Sequence, residues 1–275
     1  MFSQGSLQDY TDFARRFRLR YLDRLAWPAA VAEPADAYEL QAAEGAAFHR
    51  LVHQHIVGLS AERLTEMVGG RTADEGLPEW WSHYLNDGPK ALPPAKYAEI
   101  GLSAPLGNYR LVAQYDLIAV EPGKRAVIVD WKTSQRRTMG AALAGRMQTR
   151  VYRYLLARAG HVLNGGRSIR PEQIEMLYWF ANFPDEPERI RYSAELYQAD
   201  EVLFNELVAA IEREDREGFP LTEDITRCRF CAYRSLCRRG TEAGDVEALE
   251  DPEDASADAD VAPSFDFDQI AEIEF

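Results

Sequence analysis

Two adjacent strand signals joined by a tight turn constrain this chain more than any other part of it. They are Tyr109-Arg-Leu-Val-Ala-Gln-Tyr-Asp116 and Ala126-Val-Ile-Val-Asp-Trp-Lys132, with Glu121-Pro-Gly-Lys124 between them. β-Branched and aromatic residues dominate both, and the turn residues predict an antiparallel hairpin. Asp116 closes the first strand's polar-apolar alternation. Asp130 and Lys132, two residues apart on the second, share a face. Charged groups set into hydrophobic strands cost folding energy unless something binds them. Two carboxylates and an ammonium converging on one point suit a hard divalent cation and a polarised water, which is the chemistry of phosphodiester hydrolysis.

The net charge of −14 argues at first against a polyanionic ligand, but the distribution of charge along the chain points the other way. Residues 241–275 hold thirteen acidic residues and no basic ones, which leaves 32 acidic against 31 basic in the first 240. The arginines of that near-neutral body cluster at Arg15, Arg16, Arg18, Arg20 and Arg24, at Arg136 and Arg137, and at Arg227, Arg229, Arg234, Arg238 and Arg239. Phosphates feel such local patches within a Debye length rather than the net charge. Arg16 is accordingly a candidate for substrate binding, against the plainer reading of solvated helix faces. No run approaches the roughly 18 apolar residues needed to cross a bilayer, and the first residues lack a secretory signal pattern. Three cysteines packed into ten residues do not resemble a disulfide framework. A cytoplasmic protein without membrane partners is the expectation.

Along the chain, periodicity and breakers predict helices over Leu7–Leu25, about Tyr38–Met67 and Glu75–Leu85. Strands follow at about 96–104, 109–120 and 125–132, then a helix over Gly140–Ala159, a buried strand over Ile174–Phe183, an edge strand near Arg189–Tyr192 and a helix over Glu195–Glu217. On the helix after the hairpin, Gln148 and Tyr152 lie at i and i+4, on the side of Met147, Val151 and Leu155. Arg146, Arg150 and Arg153 fall roughly opposite, toward solvent. A buried Gln and Tyr need partners, and a phosphate or metal-bound water would supply them. His49 stands beside an apolar stripe in Glu44-Gly-Ala-Ala-Phe-His49, but His53 and His55 follow closely, so chemistry alone does not select it.

Taken in order, Gly-x-x-x-His (Gly45, His49), a hairpin aspartate (Asp116), Asp-x-Lys (Asp130, Lys132) and Gln-x-x-x-Tyr (Gln148, Tyr152) resemble the RecB-like branch of the PD-(D/E)XK nucleases. That branch includes nuclease domains of recombinational-repair helicase complexes and the exonuclease of CRISPR spacer acquisition. The resemblance covers about residues 7–240. It implies an α/β restriction-endonuclease-like core, a mixed sheet flanked by helices, and a DNA substrate. It also implies Mg²⁺ or Mn²⁺ on His49, Asp116, Asp130 and the Trp131 carbonyl, with Lys132 orienting the attacking water and Gln148 and Tyr152 positioning the substrate phosphate. The domain expectation is a nuclease domain over 1–240, made of a helical part (1–95), a catalytic core (96–220) and a cysteine segment (221–240), followed by an acidic tail over 241–275.

Cys228-Arg-Phe-Cys231-Ala-Tyr-Arg-Ser-Leu-Cys237 matches the last three ligands of the iron-sulfur cluster that many such nucleases carry. The family's fourth cysteine lies on the N-terminal helix, where Ala14 stands here. Either another ligand completes the site, or the cluster is lost and the segment packs through Phe230, Tyr233 and Leu236. Loss, or an incomplete and labile cluster, is the favoured expectation. The tail ends in Ser264-Phe-Asp-Phe-Asp-Gln-Ile-Ala-Glu-Ile-Glu-Phe275. It reads as a solubilising extension, a docking peptide for a helicase or another repair or defence protein, or a mimic of DNA charge.

Overall fold

In the computed structural model, the described residues are 1–26, 32–33, 35–69, 76–242 and 244–245. Residues 246–275, on which the tail readings fall, lie outside them. The chain divides into two compact units: one formed by Met1–Gln4 with Gln41–Ala209, the other by Gly5–Leu40 with the chain from Ala210 onward.

The first unit is organised by a five-stranded sheet in the order β2 (Ala95–Leu106), β3 (Tyr109–Glu121), β4 (Arg125–Lys132), β5 (Ile174–Phe180) and β6 (Phe183–Arg191). All neighbours are antiparallel except β4 and β5, which run parallel and are joined by a helical crossover. The sheet is therefore mixed, as expected. Gly107, at φ +57°, makes the β2–β3 turn that Gly107-Asn108 signals in the sequence.

Odd-numbered residues of β4, namely Val127, Val129 and Trp131, join Leu117, Leu177 and Trp179 in a core with Phe48 and Val52 of α3 (Ala35–Ile56), Leu64 of α4 (Ala61–Gly69) and Trp80 and Trp81 of α5 (Gly76–Asp87). The single helix expected over 38–67 is thus two, because Gly58 adopts φ +109° and turns the chain. The even-numbered residues of β4 face the other way. That side is covered by α6 (Gly140–Gly145) and α7 (Met147–Ala159), the helix expected over 140–159 being broken by Arg146, whose backbone is extended.

The arginine face of α7 is not turned to solvent as its periodicity predicts. Arg153 is only 2 % exposed, donates to the carbonyls of Thr149 and Arg191, and lies over the Tyr192 ring. Arg150 meets Asp200 of α8 (Ala194–Glu217), which also accepts from the Tyr192 hydroxyl. Elements later in the sequence close over that face, so α7 is buried nearly all round.

The second unit contains α1 (Gln4–Asp12, its first residue counted with the first unit), α2 (Ala14–Phe17), a π-helical turn over Arg18–Leu22, and the cysteine segment. Phe13 leaves helical geometry at φ −151°, which divides the helix expected over 7–25. Tyr10, Phe17 and Phe219 form its aromatic contact. Two-residue strands β1 (Ala32–Glu33) and β7 (Gly244–Asp245) pair in parallel.

Candidate active site

The ladder between β3 and β4 stops at Leu117↔Val129. One residue further, where Asp116 and Asp130 would pair, the strands part. Asp116 takes over the lost pairing with its side chain: its Oδ2 accepts from the Trp131 backbone N–H at 2.9 Å, and its Oδ1 lies 3.2 Å from His49 Nδ1. Burial pushes the Asp116 carboxyl up, but His49, that N–H and Lys132 outweigh it and hold the group below its ordinary range, so it is an anion.

Asp130 is 3 % exposed and Lys132 6 % exposed, and Lys132 Nζ lies 3.2 Å from Asp130 Oδ2. Gln148 Nε2 donates to Asp130 Oδ1 at 3.0 Å and stands 3.5 Å from the Tyr152 hydroxyl. Burial first, then the charges of Asp130 and Asp116, keep the Tyr152 phenol protonated and hence a donor. Tyr152 is fixed in turn by Tyr115, whose ring lies 4.6 Å from its own and whose hydroxyl donates to its carbonyl. One region of the first unit therefore gathers His49, Asp116, Asp130, Lys132, Gln148 and Tyr152.

Gly45 has a steric reason to be glycine. A Cβ there would stand 2.9 Å from Thr133 Oγ1, just past Lys132, so the absent side chain lets α3 approach β4 and places His49 one turn on. The strand end itself is braced by residues that no sequence motif marks. Asn182 donates to the carbonyls of Thr133 and Ser134 and accepts from Trp80 Nε1, and the Ala181 N–H donates to the Lys132 carbonyl. Tyr178, the β5 register partner of Asp130, shares a hydrogen bond with Thr149 and presents its ring 6.0 Å from Lys132 Nζ.

Glu99 and Glu121 both flank the hairpin, and the structure separates them. Glu121 sits at the turn, engaged by Lys124 and Arg125. Glu99 stands opposite Asp116. Arg16 belongs to the second unit, where its guanidinium meets Asp9 Oδ1 at 2.6 Å and lies over Phe13, while Arg20 meets the other oxygen of Asp9 at 3.3 Å. One buried carboxylate thus already engages two guanidinium groups of the N-terminal arginine cluster.

The donor set at the strand fork suits a hard divalent cation in kind: two carboxylates held as neighbours, with an imidazole beside one of them. Among the described residues no three His, Cys, Asp or Glu side chains already stand close enough to hold an ion; His49 and Lys132 occupy carboxylate oxygens instead.

The three cysteines alone do not complete the four-ligand set of an iron-sulfur cluster. Cys228, Cys231 and Cys237 line one cleft of the second unit with Phe13, Arg15, Arg16 and Arg239, and the chain holds no fourth cysteine. Burial pushes the Cys237 thiol up. The segment is held otherwise. Arg234, 2 % exposed, donates to the carbonyls of Cys231 and Thr241, and Tyr233 donates to the Leu25 carbonyl. Leu236, expected to pack, is exposed. The expected result is a colourless protein without bound iron or sulfide, and a Cys228→Ser, Cys231→Ser, Cys237→Ser variant melting within a few degrees of wild type. Iron analysis, visible absorption and thermal denaturation check it.

A mixed sheet flanked by helices, with a carboxylate pair and a lysine where its central strands part, is the architecture of a restriction-endonuclease-like nuclease. The chain belongs to the PD-(D/E)XK nuclease superfamily, whose sequence model matches residues 1–238. The resemblance read from the ordered motifs and the expected fold class both hold. No curated protein matches in sequence. Among solved structures the chain is similar to SSO0001, at 13 % identity and TM-score 0.40 over 86 % of this chain and 84 % of that one. It is also similar to a putative exonuclease from Eubacterium rectale, at 10 % identity and TM-score 0.46 over 78 % of this chain and 81 % of that one. No helix among the described residues is long and apolar enough to cross a membrane.

Proposed function

We propose that this chain is a divalent-metal-dependent deoxyribonuclease, acting as an exonuclease on single strands or DNA ends in repair, recombination or mobile-element defence. The observation that carries the reading is the pairing of a buried Asp130–Lys132 couple with Asp116 at the parting of β3 and β4. A bound Mg²⁺ or Mn²⁺ would supply a Lewis acid and a water of lowered pKa.

His49, Asp116 and Asp130 would hold that cation, with the Trp131 carbonyl as a further ligand. Lys132 meets the nucleophilic water and the charge that develops on the scissile phosphate. Gln148 fixes the rotamer of Asp130, and Tyr152, kept protonated, donates to a phosphate oxygen. We place the nuclease domain at 1–240, with 241–275 as a tail outside the catalytic machinery.

The test is cleavage of end-labelled single- and double-stranded DNA with Mn²⁺ or Mg²⁺. The expected outcome is stepwise shortening to 5′-phosphorylated products, reduced to background by a chelator and restored by excess metal. Cleavage that survives chelation would sink the metal-dependent reading, and internal cuts would replace exonuclease by endonuclease. Metal binding without cleavage of any DNA would leave a silent binding subunit.

A further inference from the structure

The β2–β3 ladder pairs Ala98 with Leu117 and Ile100 with Tyr115, and the residue between, Glu99, is the cross-strand neighbour of Asp116. Two features that cost stability coincide at Glu99. Its φ is +50° in the middle of a strand, a region that residues other than glycine rarely adopt. Its carboxylate also stands across the strand pair from another carboxylate, and like charges so placed repel.

The side chain is partly buried and held by a hydrogen bond. Gln114, two residues before Asp116 on the same strand, donates to Glu99 Oε2 at 2.8 Å. Burial first, and then the charge of Asp116, raise the proton affinity of Glu99, while His49 and His53 of α3 act in the opposite sense. The carboxylate therefore lies within electrostatic reach of two residues assigned above to the cation. Neither the backbone strain nor the repulsion returns anything to the fold. Positions where local rules are broken without structural gain are where a fold serves a ligand.

We propose that Glu99 is a positioning residue of the nuclease centre, whose fixed negative charge beside Asp116 strengthens binding of the divalent cation without being one of its ligands. The inference rests on the metal-dependent reading above. In that reading the cation offsets the repulsion between Glu99 and Asp116, and Gln114 keeps the charge aimed at it.

The test is Mn²⁺ titration by calorimetry, without DNA, of the full chain and its Glu99→Gln, Glu99→Gly and Asp130→Asn variants, with metal-free thermal denaturation of each. Glu99→Gln keeps an acceptor for Gln114 and removes only the charge. Both Glu99 variants are expected to bind Mn²⁺ roughly three- to tenfold more weakly, the scale of one partly screened charge. Their cleavage rate at saturating metal should stay within about twofold of wild type, a small difference for a residue outside the reacting groups.

Glu99→Gly, which relieves the positive φ and the repulsion together, is expected to melt higher than wild type while binding metal less well. A purely structural residue would not produce that opposition. Wild-type Mn²⁺ affinity in both Glu99 variants, with binding lost in Asp130→Asn, would overturn the role of Glu99 and leave the nuclease reading standing. Failure of the wild-type protein itself to bind Mn²⁺ would overturn both.

Discussion

Asp130→Asn is expected to lower DNA cleavage at saturating Mn²⁺ by at least about a thousandfold, roughly 4 kcal/mol of transition-state stabilisation. The side chain is nearly isosteric and still offers an acceptor to Gln148, so the loss follows from the missing charge. The substitution also removes the charge of the carboxylate 3.2 Å from Lys132, which is only 6 % exposed, and breaking a buried pair from one side costs about 3–5 kcal/mol. Reduced activity alone would then be ambiguous, since the variant is also less stable.

The double variant Asp130→Asn, Lys132→Met resolves this. It removes both charges and should recover most of the melting temperature while remaining inactive. Melting curves and gel-based cleavage assays of the two variants read the two effects separately. Substantial cleavage by either protein would refute the assignment of the site.

Gly45→Val is expected to destabilise the first unit by about 1–3 kcal/mol, the range for forcing added methyl groups into a packed contact. For a chain of this size that corresponds to a fall in melting temperature of several degrees. The added Cβ meets Thr133 Oγ1 at 2.9 Å, so α3 and the end of β4 must move apart. His49 rides on α3, and Asp116 would lose its imidazole neighbour in the same motion. Metal affinity should therefore fall with stability. Adding Thr133→Ala vacates the space that the new side chain needs and is expected to restore part of both. Thermal denaturation and Mn²⁺ titration of the single and double variants complete the cycle; a double variant no better than Gly45→Val would show that the clash lies elsewhere.

The central hairpin is legible in the sequence because strand periodicity and turn chemistry are local signals. Asp116, Asp130 and Lys132 interrupt that pattern, and the structure gathers all three. Gln148 and Tyr152 follow from one helical turn of spacing. His49 is not separable from His53 and His55 by chemistry, and only the ordered motifs single it out; the structure puts it against Asp116.

What is not legible depends on distant chain segments. Arg153 reads as solvated because the periodicity of one helix says nothing of β6 and α8, which cover its second face. Asn182 and Trp80 brace the strand end across a sequence separation of 102 residues, and no motif announces such a contact. Glu99 is one of two acidic residues near the hairpin. Only the cross-strand register and its positive φ distinguish it from Glu121.

The parallel pairing of β4 with β5 bears on when the protein becomes competent during its synthesis. Antiparallel β2, β3 and β4 can zip through short turns as soon as they leave the ribosome, which would bring both aspartates and the lysine together early. The parallel neighbour arrives only after the crossover carrying Gln148 and Tyr152 has been made, and such non-local closure is slow. Until then Tyr178 is missing from beneath Lys132, and Asn182 has not tied down the end of its strand. A nascent chain ending before Ile174 therefore carries the charged residues of a nuclease without the frame that aims them, and competence is delayed until the first unit is nearly complete.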